Sequence, residues 1–127
     1  MANQRQAINT YDIDGVITIG ITPRPEDIII TGRSYEEAPE TYKMLHERGI
    51  YNVVYFQPLK YSDISRESSG VWKGGLLKYF LQQGLKIDKH FEDDPIQKQA
   101  IEQLVEIPVV LLEHSLTNKE KEHHFEW

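Results

Sequence analysis

AINTYDIDG, residues 7–15, joins a run of apolar and β-favouring side chains to an Asp-Gly turn. Residues 7–13 therefore read as a strand. Alternation along it sends Asp12 and Asp14 to one side while Ile13 points into a sheet. Two carboxylates sharing one mouth repel each other, and a divalent cation is the natural third party. Gly15 supplies the freedom for a sharp turn. Taken alone, the same residues also fit a strand that ends in an Asx-type turn, so the elements around them must decide.

Downstream, residues 16–27 (VITIGITPRPED) are broken by Gly20, Pro23 and Pro25 into a short flap, too small for a separate domain. Ile28, Ile29 and Ile30 form the β-branched run expected of a strand buried on both faces, ending at Thr31-Gly32-Arg33. A helix follows. Ala38, Tyr42 and Leu45 share one face, Ser34 and Glu37 have capping-box spacing, and Pro39 moves the first turn towards Ala38. Residues 51–56 (YNVVYF) make a third strand and 57–70 a polar loop. Residues 72–83 are a second helix, with Leu76, Leu77, Phe80 and Leu81 at helical spacing and Lys73 at its opening. Residues 89–91 form a fourth strand leading into Glu92-Asp93-Asp94-Pro95. Ile96, Ala100, Ile101 and Leu104 mark a third helix, and 108–112 (PVVLL) are the last strand.

Strands alternating with helices through right-handed crossovers imply an α/β three-layer sandwich, Rossmann-like, with a mostly parallel sheet of about five strands. In such sheets ligands bind beyond the carboxyl ends of the strands. Asp12, Asp14, Thr31, Lys73, Asp93 and Asp94 all fall at that edge. With 127 residues the chain suffices for one catalytic domain, expected over 1–114, and a charged tail over 115–127.

Composition narrows the chemistry. The net charge is −6 and the basic residues are scattered, which argues against a long electrostatic grip on duplex nucleic acid. An acidic chain that handles phosphate needs local positive charge from a metal, a few cations and backbone N–H groups. The chain has no cysteine, which excludes disulfides, thiolate catalysis and cysteine-based zinc or iron–sulfur sites. No stretch approaches the roughly 20 apolar residues needed to cross a bilayer, and the first residues lack an apolar signal core. A cytoplasmic protein without a membrane partner is expected. His46, His90, His114, His123 and His124 show no metal-ligand spacing.

Thr31-Gly32-Arg33 offers a hydroxyl, an N–H and a guanidinium to an anion, although an ordinary strand-to-helix loop has the same look. Lys73, beside Gly74-Gly75, sets an ammonium at a helix opening where the dipole assists it. Asp94 precedes Pro95 and so has the place of an N-cap, which leaves Asp93 the better metal ligand. In this order, YDIDGVIT, IIITGR, Lys73 and FEDDP resemble the motifs of the haloacid dehalogenase-like (HAD) superfamily, over residues 11–112. The resemblance implies that Asp12 is a nucleophile forming an aspartyl-phosphate and that Asp14 is the general acid and base. It further implies Mg²⁺ held by Asp12, the backbone carbonyl of Asp14 and Asp93, with Asp94 adjusting the site. Thr31, the N–H of Gly32 and Lys73 would hold phosphoryl oxygens, with Lys78 as the fallback lysine. Arg33 would meet the rest of the substrate.

Many members of that superfamily carry a cap domain, and this chain has room for none. Its site would stay open to a large substrate, or be closed by a neighbouring subunit of a homo-oligomer. The Thr-Gly-Arg motif and compact layout are similar to the phosphatase domain of phage polynucleotide kinase, which implies nucleotide or nucleic-acid 3′-phosphate ends as substrates. Tyr55, Tyr61 and Trp72 are candidates for stacking a base. The expected activity is Mg²⁺-dependent phosphomonoester hydrolysis; the alternative is a catalytically silent HAD-like protein that binds metal or phosphate, or regulates. A response-regulator receiver is disfavoured by order, because residues 51–56 carry no aspartate and an acidic pair follows the lysine.

Overall fold

The computed structural model describes residues 6–113; the tail, with His114, His123 and His124, lies outside the described residues. The chain runs β1 (Ile8–Tyr11), β2 (Ile28–Ser34), α1 (Ala38–Glu47), β3 (Val54–Gln57), α2 (Arg66–Gln82), β4 (Ile87–Glu92), α3 (Pro95–Glu102) and β5 (Val109–Leu111). The five strands form one sheet in the order β3-β2-β1-β4-β5, with every neighbouring pair parallel. The expected α/β, Rossmann-like architecture is therefore present. From the central β1 the chain steps to β2 and β3 on one side, then returns to β4 and β5 on the other. That reversal opens a crevice beyond the carboxyl ends of β1 and β4, the usual ligand position in such sheets. Among the described residues no helix is long and apolar enough to cross a membrane.

The isoleucine run of β2 behaves as a strand buried on two sides. Ile29 joins Tyr11, Ile13, Val54 and Leu45 of α1, while its neighbour Ile30 joins Ile8, Ile87, Leu77 and Phe80 of α2, and Ile101 of α3. Each such side chain contributes about 1.5–3 kcal/mol on burial. The segment after Gly15 forms no strand. Residues Ile13–Ile17 make one wide turn with Val16 and Ile17 in the core. Asp27 anchors the end of the flap by accepting from the Asn9 N–H (3.0 Å), the Tyr11 hydroxyl (2.9 Å) and the Arg24 guanidinium (3.0 Å).

Several features differ from the sequence pattern: β1 ends at Tyr11, so Asp12 and Asp14 sit on the turn after it rather than alternating along a strand, and β4 begins at Ile87 rather than 89. The capping box of Ser34 and Glu37 forms, but it closes a 3-10 turn (Tyr35–Glu37), and Pro39 then sits in the first turn of α1. In α1 the buried place beside Leu45 goes to Thr41, whose hydroxyl accepts from Arg33 at 3.1 Å, and Tyr42 is exposed. Strand β3 begins at Val54, because Tyr51 turns outward to stack on His46. Most consequentially, α2 starts at Arg66 rather than 72, with Ser65 and Ser68 forming a reciprocal capping box. Lys73 thus lies about two turns inside the helix, and the dipole support expected of an N-terminal lysine does not apply.

Gly70 and Gly74 explain how α2 and α3 approach. A Cβ on Gly70 would stand 2.8 Å from Ala100 Cβ and 2.9 Å from Gln97 Cα, and one on Gly74 would stand 2.8 Å from Leu104 Cδ1. Gly75 faces open space. Overpacking costs about 1–3 kcal/mol, against about 1 kcal/mol of helix propensity gained by alanine. Gly70→Ala and Gly74→Ala should therefore lower the denaturant midpoint, while Gly75→Ala should raise it by the equivalent of about 1 kcal/mol.

Candidate active site

Asp12 leaves β1 with its N–H bonded to the Phe91 carbonyl of β4 (3.0 Å), which fixes it at the crevice. Its Oδ1 accepts from the Ile13 N–H at 2.8 Å, and its Oδ2 lies 3.1 Å from Lys73 Nζ. Lys73 is fully buried and reaches Glu92 Oε1 at 2.9 Å. Burial works against the ammonium, but Asp12 and Glu92 outweigh it and hold the Lys73 pKa above its ordinary value. Lys78, the alternative lysine, is exposed on α2.

Behind Glu92 stands a second buried layer. His90 Nε2 is 3.1 Å from Glu92 Oε1, and its Nδ1 is 2.7 Å from Thr10 Oγ1. Burial, followed by the charge of Lys73, depresses His90 to about 3, so the ring is neutral at ordinary pH. With a carboxylate acceptor at Nε2, the proton belongs there, and the Thr10 hydroxyl donates to Nδ1. Thr10, His90 and Glu92 thus form one oriented chain ending on Lys73.

Asp93 follows Glu92 and packs against Gly15, where a Cβ would overlap its carboxylate; Gly15 also has φ of +76°. Glycine is needed there on both grounds. Asp12, Glu92 and Asp93 can each offer one oxygen within 4.8 Å of the others. Burial pushes Asp12 up to about 7, with Glu92 adding to the rise and Lys73 opposing it. Burial, then Asp12 and Glu92, pushes Asp93 up to about 8. Three buried carboxylates carry more negative charge than one ammonium neutralises. A hard, oxygen-seeking divalent cation fits this donor set.

The other sequence candidates have firm structural partners. Asp14 is held by Arg33 in a two-point bridge, Nε to Oδ2 at 2.9 Å and Nη2 to Oδ1 at 2.7 Å. Burial opposes the charge of Arg33, but Asp14 outweighs it. Thr31 is buried, and its hydroxyl accepts from the Arg33 N–H at 3.1 Å; the Gly32 carbonyl accepts from Gln57 at 2.9 Å. Asp94 caps α3 through the Ile96 N–H (2.9 Å) and bridges to Arg66 at 2.6 Å. Burial raises its pKa, yet Arg66 and Ile96 together hold it below the usual carboxylate range. Of the proposed stacking residues, Tyr61 borders the same cavity as Arg33, Tyr55 meets Phe80 edge-on, and Trp72 lines a groove beside Pro58 and Leu59.

Glu92 and His90 belong to the candidate site by geometry, although the motif order does not single them out. Their signal lies in β4 itself, a strand flanked on both sides, where polar residues at i and i+2 need buried partners. No family model, curated protein or solved structure matches the chain.

The raised carboxylates set a pH dependence. In the folded, metal-free protein Asp12 and Asp93 keep protons up to about 7 and about 8, whereas the unfolded chain releases them near 3.8. His90 adds slope only below its unfolded value of 6.5. Between pH 6.5 and about 8, stability should therefore fall as pH rises. Thermal unfolding across this window in EDTA should show the fall, and saturating Mg²⁺ should flatten or reverse it.

Proposed function

We propose that the chain is a cytoplasmic, uncapped HAD-like phosphatase with a three-layer core, hydrolysing phosphomonoesters with Mg²⁺ through an aspartyl-phosphate on Asp12. The observation that carries this reading is the buried Lys73 ammonium, held 3.1 Å from Asp12 and 2.9 Å from Glu92 at the crevice between β1 and β4. A lysine so placed favours the ionised nucleophile and can steady phosphoryl oxygens. The carboxylates of Asp12 and Asp93 would hold the metal with Glu92 adjacent, while Asp94 serves the helix cap. When bound, Mg²⁺ neutralises phosphoryl charge and favours ionised Asp12.

An Asp12 carboxylate oxygen attacks phosphorus as the bond to the leaving oxygen breaks, and Asp14, protonated once Arg33 has turned from it to the substrate, gives that oxygen its proton. Water then attacks the phosphoryl group, Asp14 takes the water's proton, and inorganic phosphate leaves. Thr31 and the Gly32 N–H face the transferred group in this reading. Arg33 borders a cavity of about 310 Å³ lined also by Glu36, Glu37, Glu40, Thr41 and Tyr61, which is the place for the leaving group. Nucleotide and nucleic-acid 3′-phosphate ends are the proposed substrates within this class.

Hydrolysis of an aryl phosphate should require Mg²⁺, vanish in EDTA and fall by about 10³-fold or more in Asp12→Asn. Activity surviving Asp12→Asn sinks the nucleophile assignment. A panel of 3′-phosphorylated oligonucleotides, nucleotides and sugar phosphates then ranks the leaving groups. One observation favours a second reading, a silent metal- and phosphate-binding protein: Arg33 clamps Asp14 as a carboxylate. Tight Mg²⁺ and phosphate binding without turnover on any member of the panel would select it.

A further inference from the structure

The edge of a sheet presents a row of backbone N–H and C=O groups, which proteins guard with charge, proline or brevity. Of the two edges, β5 is three residues long and bracketed by Pro108 and Glu113. β3, at four residues, is also short, but it carries neither charge nor proline. Residues 49–59 (GIYNVVYFQPL) hold no Asp, Glu, Lys or Arg on a chain of net charge −6, and Pro58 arrives only after the strand ends. Exposed apolar side chains flank this edge on both faces. Tyr51, 74% exposed, lies on the side of α1, stacked on His46; Tyr55 lies on the side of α2, where it meets Phe80; and Val53, between them, is 60% exposed.

The backbone settles which groups are on offer. Ile29 donates its N–H to the Val53 carbonyl at 3.0 Å, so residues 53 and 55 direct their peptide groups to β2. By alternation, the N–H and C=O of Val54 and Phe56 face the open edge. We infer that this edge pairs with β3 of a second copy, antiparallel, about a two-fold axis passing at Tyr55. In that register Val54 and Phe56 of one copy exchange N–H···O=C bonds with Phe56 and Val54 of the other, and the two Tyr55 residues form the non-hydrogen-bonded pair between them.

A second copy is the fitting occupant because outward groups spaced i and i+2 complement themselves when the strand is reversed. Two acidic chains repel, and this neutral segment is where they approach with least opposition. The pairing joins both sheets into one. It also points the carboxyl ends of the two sets of strands in opposite directions, so each crevice stays open and neither copy serves as the other's lid.

The absence of cysteine provides a direct test. Facing residues of a non-hydrogen-bonded antiparallel pair have Cα atoms about 4.5 Å apart, within disulfide range. Tyr55→Cys should oxidise to a covalent dimer, whereas Asp88→Cys, on an exposed side chain at the start of β4, should form no disulfide-linked dimer under the same treatment. Wild-type protein should sediment as a dimer, and Val53→Lys, with its circular dichroism unchanged, as a monomer. A wild type that is monomeric at its highest soluble concentration, a dimer that survives Val53→Lys, or equal cross-linking of the two cysteine variants overturns the inference.

Discussion

A buried ammonium must be paired, and much of this molecule is arranged so that Lys73 is. Its partners come from the ends of two different strands, Asp12 after β1 and Glu92 in β4. Removing one partner of such a buried pair typically costs about 3–5 kcal/mol, because the remaining charge is stranded away from water. Lys73 also depends on α2 lying close to α3, which Gly70 and Gly74 permit. Thr10 and His90 hold Glu92 in turn. Helix packing, strand pairing and the crevice are thus consequences of one electrostatic requirement.

The same cluster sets stability against reactivity. Burial, more than Lys73 offsets, keeps protons on Asp12 and Asp93 that water would remove. Arg33 and Arg66 play the opposite part at Asp14 and Asp94, holding each carboxylate in a charge-assisted bridge. The acids therefore divide into two kinds: burial raises Asp12 and Asp93, whereas Asp14 and Asp94 are each bridged by an arginine.

What was legible in the sequence was local. The isoleucine run of β2, the turn at Gly15 and the N-cap before Pro95 each announce themselves within a few residues. The extent of α2 did not, because the serines that begin it read as loop until Ser65 and Ser68 are seen to cap each other. The roles of Glu92 and His90 are less local still: Glu92 meets a lysine 19 positions earlier, and His90 meets a threonine 80 positions earlier. Neither pairing leaves a period or a motif. The order Asp12, Thr31, Lys73, Asp93 pointed to the carboxyl edge of the sheet, but only the folded chain shows Thr31 and Gly32 bonded to Arg33 and Gln57.

Gly15 couples two loops that lie far apart in sequence. Because Asp93 occupies the space a side chain would need, and because φ at 15 is +76°, the two positions form a single unit of variation. In a randomised library selected only for folding, a side chain at 15 would have to be accompanied by a smaller residue at 93, and even then the backbone angle would count against it. Selection for an intact carboxylate at 93 would therefore appear in such a library as an absolute demand at position 15, a residue with no functional group of its own.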